Sequence, residues 1–423
     1  MAAQCKRTSA FAFASVKFVL VFLSLLTLIF CTFLALRFSQ FGRIVYALTQ
    51  DGAAEVISLA RKERPKQDGE KLMPNANGGS CFAYGTNASV SNNSCVCLQG
   101  WNGDTCSVPQ VLWMDRGVRR WYAQGIIKRR PRPRMIINLF MFNHEIDMLD
   151  IRIHVLGDTV DYYVVCESNY TLFGSPKQLY LSSNLSAGFL SEHRHKIVLL
   201  KSGFNYAIDK DHWAPENNLR SLLWKEGRHR FKNLRDDDLL MLNDADEIPS
   251  REVMLFLKYH DGYREPIVLY LRWFFYGFFW ENYLPSIVPS ICTVAYLREV
   301  YGDDSNLVRR NEHPRDIPPA GTSTGTQWTP WAIRGVQPNY AGWHCSWCFN
   351  VSGIQHKLMS AQRDDGIRWG DLAKKRDPEY IMRLRKEGKL FDERQPLKST
   401  DSYQAAPAYL LQDVRRWLHL LIP

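Results

Sequence analysis

Two aspartates one residue apart, Asp244 and Asp246, follow the apolar stretch Leu239–Leu242 near the middle of the 423-residue chain. An apolar run that leads into an acidic turn is typical of a strand ending at the edge of an α/β sheet, where such sheets bind ligands. Carboxylate oxygens suit hard divalent cations such as Mn²⁺ or Mg²⁺, and these cations in turn bind diphosphates. The pair therefore indicates a metal-assisted diphosphate site. Its alternative role is to cap the helix predicted to start near Pro249.

Three more side chains are candidates for contacts with a nucleotide. His144 and Glu145 follow an apolar run, at the position where nucleotide loops lie in α/β sheets. In the alternative interpretation, His144 and Glu145 are a pair of surface residues that bind no ligand. Arg220, on a predicted helix ahead of the acidic turn, is a candidate partner of the diphosphate, and its alternative is a solvated position.

His344 begins a short segment that gathers an imidazole and two thiols, with Cys345 and Cys348 directly after it. The imidazole is a candidate third ligand for the metal of the acidic turn. A Cys-x-x-Cys pair beside a histidine also suggests zinc, but disulfides are favoured in an oxidising compartment. Their partners include Cys166 and Cys292, and the pairing stays open.

The elements that would position these residues follow from hydrophobic patterning. Strands are predicted at Met135–Phe142, Tyr162–Glu167, Lys196–Leu200 and Leu239–Leu242, and helices at Ile146–Leu156 and Leu219–Phe231. Strands alternating with helices predict an α/β sheet with ligand loops at one edge. The later stretch Asp303–Pro319 is polar and contains prolines, which predicts a surface loop.

The amino-terminal region indicates a membrane anchor. Residues 18–36 are uncharged and span roughly 28 Å as a helix, close to the ~30 Å core of a bilayer. The run is longer than a typical signal-peptide core, so an uncleaved anchor is favoured over a cleaved signal peptide. Five glycosylation sequons, at Asn87, Asn92, Asn169, Asn184 and Asn350, follow it and indicate a lumenal location.

The predicted order of domains is a cytoplasmic tail (1–17), a transmembrane signal anchor (18–36), a stem (37–80), a cysteine-rich unit (81–106), a basic linker (107–134) and a large α/β domain (135–423). The net charge of +10 could indicate nucleic-acid binding, but 46% hydrophobic and 13% aromatic residues indicate an ordinary packed core. A basic lumenal surface more plausibly attracts diphosphates or acidic glycans. The oligomeric state is left open.

The segment CVCLQGWNGDTC at the end of the cysteine-rich unit resembles the carboxy-terminal half of an EGF-like module. That resemblance implies two disulfides, Cys81–Cys95 and Cys97–Cys106. The favoured role of the unit is structural, and its alternative is to bind a protein partner.

Four segments in order resemble glycosyltransferase family 17: LMLNDADEIPSREVMLFLKYHDG, GWHCSWCF, KLMSAQ and RWGDLAKKRD. The stretch from Met135 to Pro176 is similar to the first half of the same family. The family's turn begins Asp-Asp-Ala-Asp, so Asn243 is a departure that leaves Asp244 and Asp246 intact.

The resemblance implies a GT-A-like catalytic domain in a single-pass type II Golgi membrane protein. It implies UDP-N-acetylglucosamine as donor, Mn²⁺ as metal, and N-glycosylated proteins as acceptors. The sugar would be added in β-1,4 linkage to the β-linked core mannose, with inversion at the transferred carbon. Inversion in one step requires a base for the acceptor hydroxyl. Glu247 is a candidate base or sugar-positioning group, and Asp365 and Asp371 are its rivals.

Other classes of function remain as alternatives. A related transferase with a different acceptor would carry the same acidic turn. A membrane-anchored, non-catalytic glycan-binding or adhesion protein would not need the aspartate pair. A glycoside hydrolase needs two opposed carboxylates without a metal, an arrangement that two aspartates on one turn do not provide.

Overall fold

The structure, a computed structural model, describes residues 61–65, 72–74, 79–91, 94–208, 211–310, 330–362 and 367–423, and only the backbone at 54–56. The predicted cytoplasmic tail and membrane anchor lie outside these residues. Among the residues that are described, no helix is both long and apolar enough to cross a membrane. Residues Glu55–Pro423 form one compact unit.

Strands and helices alternate in the first half of this unit. The elements are β1 (Ile136–Phe142), α1 (Ile146–Leu156), β2 (Tyr162–Ser168), α2 (Tyr180–Ser186), β3 (Ile197–Ser202), α3 (Ala214–Gly227) and β4 (Leu239–Leu242). The predicted strands are confirmed, and β2 and β4 are buried along their whole length. Helix α3 begins before the predicted Leu219, because Pro215 occupies its first turn, where proline is compatible with a helix.

The strands of the first half are parallel, in the order β3-β2-β1-β4. The register pairs Leu242, the last residue of β4, with Leu139 of β1. Because parallel strands point the same way, the loops that follow them meet at one edge of the sheet. This arrangement confirms the α/β prediction.

The second half adds antiparallel and mixed pairing. Its main elements are β5 (Glu247–Pro249), α4 (Arg251–Tyr259), β6 (Ile267–Phe275), β7 (Ser286–Thr293), α5 (Val294–Tyr301), α6 (Ser305–Arg310), β8 (Trp331–Ile333), β9 (Gly342–Ser346), α7 (Val351–Ser360) and α8 (Pro378–Glu387). Strand β7 lies between β4 and β6 and is antiparallel to both. Strand β9 is parallel to β6 and antiparallel to β5, in a register that pairs His344 with Glu247. The second half thereby contacts the acidic turn.

Shorter elements complete the described chain. The short strands are Ala54–Val56, Leu72–Pro74, Ser80–Phe82, Trp101–Asn102, Val108–Pro109, Lys128–Arg129, His260–Asp261, Trp280–Glu281 and Lys398–Ser399. The short helices are Gln110–Trp113, Arg116–Ala123, Ala373–Arg376, Ser402–Ala405 and Leu418–Leu421, together with short 3₁₀ turns.

The cysteine-rich unit carries both implied disulfides, Cys81–Cys95 and Cys97–Cys106, which confirms that pairing. Its aromatic residues Phe82 and Trp101 form one hydrophobic cluster with Leu255 and Tyr259 of α4. A unit too small to have a core of its own is therefore stabilised by disulfides and by packing on α4.

The segment predicted as a basic linker, residues 107–134, packs in part on the main domain. Val108, Val111 and Ile127 are buried in the main hydrophobic core. Arg134 is also buried, and its guanidinium donates to the carbonyl oxygen of Asp237 at 2.8 Å and to Asp261 at 2.7 Å. Apolar residues interspersed among the basic ones therefore pack inward, while the basic residues from Arg116 to Arg132 are exposed or half-buried.

The prediction of a surface loop at Asp303–Pro319 was wrong for its first part, which contains α6. Ser305, Asn306 and Val308 of this helix are buried. Residues 311–319 lie outside the described chain. Arg309 sits on α6, so the helix brings a cation to the acidic turn.

Candidate active site

Residues from both halves line a cleft of ≈ 270 Å³ at the carboxyl edge of the sheet. Loops after β1, β2 and β4 contribute Asn143, Glu145, Ser168, Tyr170, Asp244 and Asp246, α3 contributes Glu216 and Arg220, and the second half contributes His344, Ser346 and Lys357. The structure thus brings five predicted site residues into one cleft: Asp244, Asp246, Arg220, Glu145 and His344. The aspartates do not cap α4, because Ser250 accepts the hydrogen bond of the Val253 N–H instead.

The acidic turn is held from behind by Arg152, a side chain of α1 that is fully buried. Its guanidinium donates to the carbonyl oxygens of Asp244 and, at 2.6 Å, of Glu247. It also donates to the side-chain oxygens of Asn138 at 2.7 Å and Asn243 at 3.1 Å. Burial lowers the pKa of Arg152 to about 10, so the group is still cationic at neutral pH. One guanidinium therefore fixes the backbone from which both aspartates project.

Asn243 has a clear structural role in the same network. Its amide oxygen accepts hydrogen bonds from Arg152 and, at 2.8 Å, from Asn138, and its amide nitrogen donates to the carbonyl of Glu247. The departure from the family's aspartate at this position thus supplies both a donor and an acceptor to the turn.

Two arginines neutralise the carboxylate of Asp244. Arg220 of α3 approaches it at 3.1 Å and Arg309 of α6 at 3.2 Å. Burial alone would raise the pKa of Asp244, but the two guanidinium groups outweigh it and hold that pKa well below its usual range. Asp244 is therefore ionised at any pH near neutrality, and Arg220 contacts the aspartate that was predicted to bind metal.

Asp246 pairs with a different cation, the ammonium of Lys357 on α7. The Nζ atom of Lys357 lies 3.2 Å from Oδ2, and Nε2 of His344 lies 3.7 Å from Oδ1. Burial would raise the pKa of Asp246, but Lys357 and His344 lower it overall. Both aspartates thus carry a negative charge into the cleft.

The donor set of the turn fits a hard divalent cation. Two ionised carboxylates of one turn suit Mn²⁺ or Mg²⁺, and such sites commonly take their other ligands from water and substrate phosphates. Within the described ranges, no three His, Cys, Asp or Glu side chains converge as a ligand group. Asp244 and Asp246 are accordingly the residues that could hold the ion, with its remaining positions left to a diphosphate and water.

His344 is hydrogen-bonded on both ring nitrogens. Nδ1 lies 2.8 Å from the Ser286 hydroxyl and Nε2 lies 3.0 Å from the Ser346 hydroxyl. The ring also stacks on Trp273, with centroids 5.6 Å apart. His344 is therefore oriented toward Asp246 by its neighbours, and its role as a third metal ligand stays a prediction.

The two thiols after His344 form a disulfide with each other, Cys345–Cys348. This bond decides between the alternatives for that segment, in favour of a disulfide over zinc. Cys166 and Cys292 are buried free thiols, so they are not partners of this pair. The Cys345 N–H donates to the carbonyl of Asp246 at 2.9 Å, which ties the disulfide loop to the acidic turn.

Glu247 points away from the cleft. Its side chain is 2% exposed, and its carboxylate contacts Arg309 at 2.7 Å while accepting the Asp244 N–H at 2.7 Å. Burial raises its pKa in spite of Arg309. Through these contacts Glu247 connects the turn to α6. A carboxylate held in this way does not suit a base that must reach the acceptor hydroxyl.

The rival bases are placed differently. Asp371 is 60% exposed, lies near Arg368 at 3.5 Å, and does not line the cleft. Asp365 lies outside the described residues and stays a prediction.

Replacing Glu247 by glutamine is expected to reduce the kcat of the sugar transfer that the resemblance implies by less than about tenfold, and to leave its pH profile unchanged. The amide keeps an oxygen for the Arg309 or Asp244 contact, whereas loss of a true base costs on the order of 10²–10⁴ in rate. Steady-state assays from pH 5.5 to 8.5 test this result. A larger loss accompanied by disappearance of the acidic limb would restore Glu247 as the base.

His144 and Glu145 have separate roles. Glu145 lines the cleft, but its carboxylate accepts the N–H groups of Asn143 at 2.8 Å and His144 at 3.0 Å. His144 stacks on Phe349, with ring centroids 4.3 Å apart, and its Nε2 lies 3.0 Å from the carbonyl oxygen of Gly353. His144 therefore packs the β1 loop against α7, and Glu145 is the member of the pair that faces the cleft.

Because two histidine side chains are partly or fully buried, we expect the free energy of unfolding to fall in acid. Burial lowers the pKa of both His144 and fully buried His260 to about 4. Because an unfolded histidine titrates near ~6.5, the unfolded state binds more protons between these values, and stability falls as the pH drops through that window. From pH 7 to 5 we expect His260 alone to account for about 2 kcal/mol. Urea unfolding across this pH range tests the expectation. In His260→Phe the free energy of unfolding should depend less on pH, whereas His229→Gln, at an exposed position, should keep the pH dependence of wild type.

Sequence reasoning missed three residues of the site. Arg152 follows Leu149 by three residues, so its place on the buried face of α1 was readable from helical spacing. Lys357 lies in the segment KLMSAQ, which carried the family resemblance without a role for the lysine. Arg309 had no such signal, because it lies in a short, mostly polar segment that carried no family resemblance.

Comparisons with known proteins agree with this geometry. Residues 121–301 match Glycosyltransferase family 17, which confirms the resemblance. Over 337 residues the chain is 41% identical to the human "Beta-1,4-mannosyl-glycoprotein 4-beta-N-acetylglucosaminyltransferase" and 40% identical to the proteins of that name from Rattus norvegicus and Mus musculus. These alignments cover 77% of this chain but 62%, 61% and 61% of the relatives. The chain thus spans less than two thirds of the length of the curated relatives it matches.

Proposed function

Since the chain carries a glycosyltransferase family 17 domain, we propose that it transfers N-acetylglucosamine from UDP-N-acetylglucosamine to N-glycans. The acceptor in this proposal is the β-linked core mannose and the new bond is a β-1,4 linkage. The curated relatives bear the name of that activity, and the site provides the parts that it needs.

The observation that carries the proposal is the pair of ionised aspartates at the carboxyl edge of the sheet. Asp244 and Asp246 face a cleft that also contains Arg220 and Lys357. Paired carboxylates beside fixed cations suit a divalent ion together with a diphosphate, because each charge has a partner of opposite sign. A nucleotide diphosphate sugar is the common ligand that combines those charges with a transferable group.

In the proposed reaction Asp244 and Asp246 would hold Mn²⁺, which neutralises negative charge on the departing UDP. Arg152 keeps the aspartates in place through the backbone, and Arg220 and Arg309 keep Asp244 ionised. An α-linked donor and a β-linked product require one inverting displacement, with a base that removes the acceptor proton. Of the three carboxylates predicted for that step, Asp365 is the one that the described structure leaves open.

The experiment is a transfer assay with the full chain, UDP-N-acetylglucosamine and a biantennary N-glycan, with Mn²⁺ or with a chelator. The expected product carries one added residue in β-1,4 linkage on the core mannose, and chelation should abolish its formation. Product linkage analysis distinguishes the proposal from a transferase with another acceptor. Glycan binding without turnover would instead support the non-catalytic alternative.

The proposed setting is the Golgi lumen, with the chain held by a single type II anchor at residues 18–36. Three disulfides support an oxidising compartment. Four of the five sequons, at Asn87, Asn169, Asn184 and Asn350, have their asparagine among the described residues, and Asn350 is exposed. Protease protection of the domain in sealed vesicles, together with sensitivity to N-glycan removal, tests this topology.

A further inference from the structure

Lys357 differs from the two arginines that pair with the acidic turn in how firmly it is held. Arg220 pairs with both Glu216 and Asp244, each at 3.1 Å. Arg309 likewise bridges Asp244 and Glu247. Within the described part of the chain, Lys357 makes a single ion pair, with Asp246 at 3.2 Å. Of these three cations, it is the one that can exchange its partner without breaking a network.

The position of Lys357 is nevertheless built by the fold. Helix α7 begins directly after the disulfide loop, with the Asn350 side chain accepting the Gly353 N–H at 2.9 Å. The ammonium group lies 5.5 Å and 5.8 Å from the ring centroids of Trp347 and Phe349. The two rings attract the ammonium group into the cleft, and the unbranched four-carbon stem allows that group to turn between partners.

A divalent ion on Asp246 would compete directly with this ammonium. Two cations at one carboxylate repel each other strongly in a partly buried site. In the proposed complex the diphosphate of the donor offers the ammonium another anionic partner. Lysine binds phosphate as a compact point charge on a long stem, which allows such a move.

We propose that Lys357 is an exchangeable counter-ion, which pairs with Asp246 in the empty site and with the donor diphosphate in the loaded site. This inference rests on the proposed function and adds a coupling to it. In the empty site Lys357 disfavours the metal ion, and in the loaded site it favours the nucleotide. Metal and nucleotide consequently bind together more tightly than the sum of their separate affinities predicts.

Calorimetric titration of the full chain with MnCl₂ alone, and with UDP at saturating Mn²⁺, tests the exchange. Lys357→Met should bind Mn²⁺ alone about fivefold more tightly, because the competing cation is gone. It should bind UDP about tenfold more weakly, because a charge-assisted hydrogen bond is lost. Lys357→Arg keeps the positive charge, so its affinities for Mn²⁺ alone and for UDP should stay close to those of wild type. Lys386→Met, at an exposed position of α8, should match wild type in both affinities.

Opposite changes in the two affinities are the signature of the exchange. Weakening of both affinities would indicate simple damage to the cleft and would overturn the inference, as would two unchanged affinities in Lys357→Met. Those outcomes leave the proposed function standing as long as wild type binds UDP. Absence of UDP binding by wild type would overturn the inference and the proposed function together.

Discussion

Asp246→Asn is expected to lower kcat/KM for the transfer at least ~10³-fold, the scale of losing a major electrostatic contact to the reacting charge. The amide has the same shape but no charge, so it would be a poor anchor for Mn²⁺. The backbone carbonyl of Asp246 still accepts the Cys345 N–H at 2.9 Å, and the turn is therefore expected to survive. Steady-state kinetics at several Mn²⁺ concentrations measure the loss.

The matched control for that change is Asp236→Asn. Asp236 pairs with Arg298 on the surface at 2.9 Å and is 70% exposed, so its removal is expected to leave transfer within twofold of wild type. Thermal unfolding of both variants should coincide with wild type within a few degrees. Full activity of Asp246→Asn, with or without added Mn²⁺, would contradict the assignment of Asp246 as a metal anchor.

Arg152→Met is expected to remove about 3–5 kcal/mol from the free energy of unfolding, and transfer activity with it. The substitution removes four hydrogen bonds that a buried guanidinium donates to two backbone carbonyls of the turn and to the side-chain oxygens of Asn138 and Asn243, and losing a buried, charge-assisted donor is strongly destabilising. Urea unfolding measures the first effect. UDP binding at saturating Mn²⁺, measured on the folded fraction, reports whether the turn has also moved.

Two further variants separate positioning by Arg152 from general stability. Arg152→Lys keeps the positive charge but has fewer hydrogen-bond donors. Compared with Arg152→Met, it should therefore recover part of the stability and part of the UDP affinity. Arg298→Met removes an exposed ion pair and should cost less than about 1 kcal/mol with UDP affinity unchanged. Wild-type stability of Arg152→Met would refute the role assigned to this network.

The parts of the fold that were predictable are those in which local pattern and burial coincide. β4 and α1 have the predicted bounds, because continuous apolar runs and helical spacing survive in the folded protein. In residues 107–134 the high density of charge concealed the apolar residues that face inward. Long charged stems can cover apolar surface, so basic composition alone does not indicate a solvated chain.

The anionic residues of the site were predictable, and so were Arg220 and His344, but two further cations were not. Asp244 and Asp246 could be placed at the carboxyl edge of the sheet because the acidic turn directly follows a continuous apolar run. Their cationic partners Arg309 and Lys357 are 65 and 111 residues away in sequence from the aspartates they contact. Contacts at that separation depend on how strands and helices are arranged, which single-sequence patterns do not specify.

The way Arg152 grips the acidic turn also bears on how such a protein evolves. Within the turn, Arg152 bonds the main-chain carbonyls of residues 244 and 247 and the amide of Asn243, rather than the carboxylate of Asp244 or Asp246. Substitutions at Asp244 or Asp246 can therefore remove the charges of the turn while its backbone keeps its shape. Gene duplication can accordingly yield descendants that lack these carboxylates and still retain the cleft.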